Sequence, residues 1–286
     1  MAQWTAIGVP IDSVGRAGGT EKAPRALREA GLLERLEARD AGDLDVRIRD
    51  DRRDPATGVV GIDGVLATTV AVRSAVRDLI AAGERPLVLG GCCTLLPGAL
   101  AGMRDAGETP RLAYVDGHVD VYDGVTSPTG EAADMPVGVA LGREPSAWVD
   151  AAGGPSLEPA GVVVLGAREE EEAADIGPLL AGELAELRVR SPDELRSSGL
   201  SAAASSALQR LDGRFWLHLD VDVLGMEVMP ATDYLMPGGL DWDELAELLR
   251  PLAASPALAG LSVACLNPEK DPDGVYTKLT VDLLAG

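Results

Sequence analysis

Short apolar runs recur along the chain: Thr5 to Val9, Pro86 to Leu89, Leu112 to Val115, Val162 to Leu165, Leu187 to Val189, Phe215 to Asp220 and Leu261 to Ala264. Runs of this length predict strands buried on both faces. Between them, apolar residues return every three or four positions over Pro24 to Ala38, Ile62 to Ala82, Ser201 to Leu211 and Asp241 to Leu249, which predicts amphipathic helices. Strands alternating with helices make βαβ units, so the expected class is α/β, with a mostly parallel sheet covered on both faces. Arg47 to Gly58 is charged and ends in Pro and Gly, and Gly142 to Ala160 is rich in both without helical period, so surface loops are expected there. No repeat or shift of composition divides the chain, and residues 1–286 read as a single domain.

Composition sharpens this. Hydrophobic residues make up 46% but aromatics only 3%, which puts the core in Ala, Val and Leu and disfavours a β-sandwich. A formal net charge of −21 argues against nucleic acid as a partner, because a phosphate backbone needs a basic stripe. No apolar run approaches the ~20 residues that span a bilayer. The start, Met1-Ala2-Gln3-Trp4, lacks the basic and apolar regions of a signal peptide, so a cytoplasmic protein without a membrane partner is expected. Cys92 and Cys93 are neighbours, which suits a chemical role in a reducing compartment better than a disulfide framework.

In open parallel sheets ligands sit beyond the carboxyl ends of the strands, so the residues that follow each strand carry the candidate chemistry. After Leu112 to Val115 comes Asp116-Gly117-His118-Val119-Asp120. If the chain stays extended, alternation sends Asp116, His118 and Asp120 to one side, where two carboxylates and an imidazole form a divalent-metal triad. Phe215 to Leu219 likewise delivers Asp220 and Asp222 to one face, where paired carboxylates repel unless a cation lies between them. His218 shares that parity but lies deeper; it reads as a core or supporting histidine, with direct ligation as the alternative. The chain has only 2 histidines, and both fall in these segments. Five donors, four of them carboxylates, suit Mn²⁺ better than Zn²⁺. A third strand leads through Gly90-Gly91 to Cys92-Cys93 at the start of a helix. This turn lacks the spacing of a nucleotide-binding loop, and a thiolate at a helix N-terminus is expected to be acidified, able to ligate a metal or act as a nucleophile.

Taken together, Gly8-Val9-Pro10, Gly18-Gly19 with Pro24 to Arg28, Gly90 to Thr94, Asp116 to Asp120, His218 to Asp222, Met229 to Thr232 and Pro237 to Leu240 stand in the order of a known set of motifs. The chain resembles the arginase, agmatinase and formimidoylglutamase family from near its N-terminus to Pro268. Gly90 to Thr94 corresponds to the family's G-G-D-H-S, Asp116 to Asp120 to D-A-H-x-D, and His218 to Asp222 to S-x-D-x-D. The resemblance implies a three-layer α/β/α fold and two Mn²⁺ ions whose hydroxide attacks the carbon of a guanidino or related C–N group. It implies metal ligation by Cys93, Asp116, His118, Asp120, Asp220 and Asp222, with Asp116 and Asp220 shared between the ions. It also gives Asp120 a catalytic part, protonating the leaving nitrogen. Thr126, Ser127, Thr129 and Glu131 fall in the family's substrate loop, and Cys265 stands where the family has the Glu that pairs with the guanidinium; these five are candidate substrate contacts.

The departures from the pattern bear on function. Cys93 replaces a ligand histidine, so one ion is expected to be held weakly; the histidine after the substrate loop is missing, with Ala133 or Asp134 nearest. Cys265 removes a charge-assisted partner worth about 1.5 to 3 kcal/mol, which disfavours arginine itself unless Glu131 or Glu227 compensates. The implied function is hydrolysis of a non-peptide C–N bond in a modified guanidino, amidino or ureido small molecule. The alternative is a catalytically silent, metal-poor family member kept for binding or assembly. Family members are commonly trimers or hexamers, so a homo-oligomer is expected.

Overall fold

The computed structural model describes residues 3–168 and 170–286. Eight strands form one parallel sheet: β1 (Trp4–Val9), β2 (Arg39–Asp43), β3 (Arg85–Gly90), β4 (Leu112–Val115), β5 (Val162–Leu165), β6 (Arg188–Arg190), β7 (Phe215–Asp220) and β8 (Leu258–Ala264). Their order is β2-β1-β3-β8-β7-β4-β5-β6. Alternation along each strand feeds two separate cores. Val88, Tyr114 and Trp216 pack on one face with Val65, Val72 and Leu100 of the helices Ile62–Ala81 and Leu96–Asp105. Leu87, Leu89, Ala113, Leu217 and Leu219 pack on the other with Leu27, Ala203 and Leu245 of the helices Ala23–Glu29, Leu200–Leu211 and Trp242–Ala253. The fold is therefore the expected three-layer α/β/α arrangement with a parallel sheet.

Three local expectations are corrected. β2 was absent from the apolar runs because its sequence, RDAGD, is exposed throughout; it lies at the sheet edge, where backbone pairing with β1 needs no hydrophobic side chains. The helix expected over Pro24 to Ala38 breaks into Ala23–Glu29 and Leu32–Arg35, because Gly31 takes a left-handed φ of 86. The loop expected over Gly142 to Ala160 contains the helix Ser146–Ala151, anchored by the buried Trp148, whose indole N–H donates to Thr69 Oγ1 at 2.7 Å.

The topology decides where a ligand can enter. β4 and β7 are adjacent, yet the chain leaves β4 for β5 on one side and β7 for β8 on the other. Connections that depart in opposite directions open a crevice beyond the carboxyl ends of that pair. Asp116 follows the last residue of β4, and Asp220 ends β7.

Beyond β7 the chain runs to Asp241, which caps the helix Trp242–Ala253 in a capping box with Glu244. Leu245, Leu248, Leu249 and Leu252 of that helix are buried, each burial being worth about 1.5 to 3 kcal/mol, so the far end of the loop is firmly anchored.

Candidate metal centre

Turns, not strand alternation, gather the acidic residues. β4 ends at Val115, and Asp116 Oδ1 then accepts the His118 backbone N–H at 2.8 Å, folding the D-x-H segment back on itself. At β7, Asp220 Oδ1 accepts the Asp222 N–H at 2.8 Å and caps the short helix Val221–Val223. The extended geometry expected for both segments is thus replaced by side-chain-to-backbone turns, which Asp favours because its carboxylate reaches its own chain two residues on.

The third contributor arrives from β3. Gly91 lies so close to the loop after β1 that a Cβ there would sit 1.7 Å from the Ile11 carbonyl oxygen, and its own carbonyl accepts the Cys265 N–H at 2.6 Å. This contact sets the end of β3 against the end of β8 and leaves Cys93 Sγ 3.7 Å from Cys265 Sγ. Cys93 Sγ also lies 2.7 Å from Asp220 Oδ2, 3.8 Å from Asp116 Oδ2 and 3.3 Å from His218 Nε2.

Among the described residues two sets of donor atoms come close enough to hold an ion, with all atoms of a set within 4.8 Å of one another. One is Cys93, Asp116, His218 and Asp220; the other is Asp116, His118 and Asp222, so that Asp116 belongs to both. In the second set His118 Nδ1 stands 3.3 Å from both Asp116 Oδ1 and Asp222 Oδ2. Asp120 joins neither set. It holds a positive φ of 55, and its carboxylate accepts the Tyr114 hydroxyl.

Electrostatics follow from this crowding. Burial, together with the neighbouring Asp222 charge, pushes Asp116 above its usual range, and burial with Asp222 and Asp116 pushes Asp220 well above it. Burial also works against the charge of Asp222, but His118, the Gly117 N–H and Arg168 outweigh it and hold this carboxyl low. Burial drives His218 down to about 3, leaving a neutral imidazole. The thiol of Cys93 is raised by burial and by its neighbours Cys265 and Asp220, the reverse of the acidification expected at a helix N-terminus. Desolvation among carboxylates outweighs a helix-end effect worth about 1 kcal/mol. A bound cation would invert that balance, and buried like charges with a thiol and imidazoles are the donor chemistry such a cation requires.

The cluster lies at the floor of a cavity of about 200 Å³. Thr129, Glu131, Cys265, Ala133 and Asp134 line it, whereas Thr126 and Ser127 do not. The Thr126 hydroxyl is taken up by Asp123 at 2.9 Å and that of Ser127 by Asp134 at 2.6 Å, so both shape the loop from within. Glu131 accepts from Ser13 Oγ at 2.8 Å; Glu227 is exposed and is not part of the lining.

Four residues outside the expected site set complete the site. Asp12, after β1, lines the cavity and accepts the Val14 and Gly18 N–H groups; inspecting the residues after β1 as closely as those after β4 would have found it. Tyr234 sets its ring edge-on to His118, with centroids 6.0 Å apart. Asn267 is fully buried and donates to Asp233 Oδ1 at 2.8 Å and to the Gly18 carbonyl at 3.1 Å, joining the late N-P motif to the early Gly-Gly loop. Gly19 there has a φ of 125, and a Cβ on it would meet Asn267 Oδ1 at 2.1 Å, so only glycine fits.

Arg168 is the fourth. Its guanidinium donates to the carbonyls of Asp222 (2.8 Å), Leu224 (3.1 Å) and Pro237 (3.1 Å), with longer contacts to Val223 and Met236. It clamps the loop that carries Asp222. Arg168→Met is expected to lower the stability of the protein by roughly 2 to 4 kcal/mol, because several buried carbonyls lose their donor. Urea unfolding would measure it, and an unchanged midpoint would show the clamp to be dispensable.

A parallel α/β sheet with a buried carboxylate, imidazole and thiol cluster at its topological switch point defines the class: an open α/β scaffold with a site fit for divalent metal. The model of the arginase family matches residues 2–285, and the chain belongs to that family. It is 27% identical to an arginase of Brevibacillus brevis, over 98% of this chain and 95% of the relative. It is also 27% identical to an arginase of Bacillus subtilis, over 97% and 95% respectively. The native structure of the arginase from Bacillus caldovelox superimposes with a TM-score of 0.90 at 26% identity, covering 100% of this chain and 97% of that one. No helix among the described residues is long and apolar enough to cross a membrane.

Proposed function

We propose that this protein is a metal-dependent hydrolase that cleaves a non-peptide C–N bond in a small cationic compound of the guanidino or amidino class. The observation that carries this reading is the charge of the cavity. Eight of its lining residues are acidic, among them Asp12, Glu131, Asp134 and Asp233, and no Lys or Arg is among them. A cavity with that sign concentrates cations and repels carboxylate or phosphate substrates.

Two divalent ions, Mn²⁺ by family resemblance, would be held by Asp116 with His118 and Asp222 on one side and with Cys93 and Asp220 on the other. Ions bound there would supply positive charge that polarises the C–N carbon and makes hydroxide available near neutral pH. The chain's own groups do the rest. Glu131, whose pKa burial raises and whose hydrogen bonds to Ser13 and Tyr234 partly offset that, is the wall carboxylate we assign to pair with a guanidinium, since Cys265 cannot. Asp120 lines the cavity and accepts a hydrogen bond from the Tyr114 hydroxyl, which makes the pair a candidate relay to the leaving nitrogen. Cytoplasmic location and homo-oligomeric assembly are proposed on the family resemblance alone.

One observation favours the silent alternative: Asp120, a ligand by family pattern, lies outside both donor sets and is bound by Tyr114. A screen of guanidino, amidino and ureido compounds for release of urea or ammonia, with the protein loaded with Mn²⁺, decides between the two readings. Turnover of a cationic guanidino compound is expected; no turnover of any compound with metal demonstrably bound would favour the silent form. With an active substrate in hand, Glu131→Gln is expected to raise KM about 10- to 100-fold with a smaller change in kcat, as loss of a charge-assisted bond dictates. An unchanged KM would take Glu131 out of recognition.

A further inference from the structure

Cys93 and His218 depart from the family's motifs together. Cys93 stands where G-G-D-H-S has histidine, and His218 where S-x-D-x-D has serine. The fold sets the two side chains face to face, with His218 Nε2 3.3 Å from Cys93 Sγ. The imidazole lost from the turn after β3 is thereby returned from β7.

Hydrogen-bond accounting admits a tautomer of His218 that leaves a nitrogen lone pair facing this cluster. Cys93 has one proton, and around its sulfur stand Asp220 Oδ2 at 2.7 Å, Asp116 Oδ2 at 3.8 Å and His218 Nε2. On the far side of the ring, His218 Nδ1 lies 2.7 Å from Ser262 Oγ, which already accepts the Trp216 indole N–H at 2.8 Å. A serine oxygen can accept twice, so Nδ1–H can donate to it and leave the Nε2 lone pair aimed at the sulfur and the carboxylates. An outer partner of this kind commonly fixes the tautomer of a ligating histidine. The sulfur-to-nitrogen distance fits as well. Bonds of about 2.3 Å to sulfur and about 2.0 Å to nitrogen put two such donors roughly 3.5 Å apart around a tetrahedral ion.

We propose that His218 is a direct ligand, and that Cys93, His218, Asp116 and Asp220 form a mixed sulfur, nitrogen and oxygen site selecting a thiophilic ion, Zn²⁺ or Co²⁺, over Mn²⁺. The proposal rests on the reading of the cluster as a metal centre. Thiolate and imidazole together favour the softer ion, whereas Asp116, His118 and Asp222 form a set dominated by carboxylates that suits Mn²⁺. The two positions therefore differ in metal preference, and the pair is a mixed one.

The test uses metal-free full-length protein titrated with Co²⁺. A near-ultraviolet sulfur-to-cobalt absorption band is expected, and it should vanish in Cys93→Ser. Proton NMR of the cobalt form should show a strongly shifted, slowly exchanging imidazole N–H that persists in His118→Asn; with 2 histidines in the chain, that signal can only belong to His218. Dialysis against equal Zn²⁺ and Mn²⁺ should load zinc at one position. The double variant Cys93→His with His218→Ser, carrying the family's residues, should lower the preference for zinc about 10-fold or more. Two bound ions with neither the sulfur band nor a signal independent of His118 would overturn the proposal and leave the metal-centre reading standing. Failure to bind Co²⁺, Zn²⁺ or Mn²⁺ at all would overturn both.

Discussion

Asp116→Asn should abolish hydrolysis and empty both metal positions at once. Asp116 is the residue common to the two donor sets, and its two oxygens face different partners, Oδ1 toward His118 and Oδ2 toward Cys93. An amide presents one neutral oxygen and one nitrogen that cannot ligate, so both sets lose the shared charge and one of them also loses a donor. The expected loss in kcat/KM is about 10³-fold or more, equivalent to about 4 kcal/mol of transition-state stabilisation. Elemental analysis should fall from two ions toward none. Asp222→Asn, by contrast, touches only the set with His118 and should cost one ion. If Asp116→Asn kept two ions per chain, the sharing of Asp116 would be refuted.

The second large effect is a reversal of sign between the metal-free and metal-loaded protein in Asp220→Asn. Without a cation, Asp220 is a buried carboxylate beside Asp116 and Asp222, and its pKa is raised well above the ordinary 3.8 by burial and by those two charges. A group raised in the folded state contributes stability below its unfolded value that is lost as pH climbs through the folded one. The metal-free protein should therefore lose stability from about pH 4 upward, and Asp220→Asn should remove much of that slope. At pH 7 in chelator the variant should be more stable by about 1 to 3 kcal/mol, or several degrees in Tm. With metal the order inverts. Wild type should gain about 2.7 kcal/mol for each ion present at 100 times its Kd, and the variant should forfeit at least one such increment. Thermal melts with and without chelator, at pH 5 and pH 7, would read both signs. A variant less stable than wild type in chelator would show that the carboxylates are not mutually repulsive.

Much of the architecture was legible along the chain because burial on both faces of a parallel sheet writes itself as continuous apolar runs. Seven of the eight strands coincide with such runs to within a few residues, although β6, at the other edge of the sheet, is only partly buried. β2 does not, since an exposed edge strand needs only backbone partners. The metal-type cluster was legible for a similar reason: Asp116, His118, Asp220 and Asp222 each follow or end an apolar strand, and no other role makes so many close carboxylates tolerable.

By itself, the sequence determined the class of fold, the family, the strand ends that matter and nearly all of the candidate donors, because these depend on local periodicity and on order along the chain. Only the tertiary structure decided which donors meet. His218 looked like a core residue from its depth in β7, and it faces Cys93 only because β3 and β7 flank β8 and end at the same edge. Asp120 reads as a ligand from its spacing, and the structure adds that it takes a positive φ, accepts the Tyr114 hydroxyl and falls in neither donor set. Arg168 carries no motif that announces it, since its partners are backbone carbonyls, and the segment Cys265 to Pro268 does not reveal that Asn267 reaches Gly18 and Asp233 far along the chain. Spacing encodes which side chains can reach a sheet edge, but the strand order and the turns beyond it set the distances of a few ångströms on which coordination and hydrogen bonding depend.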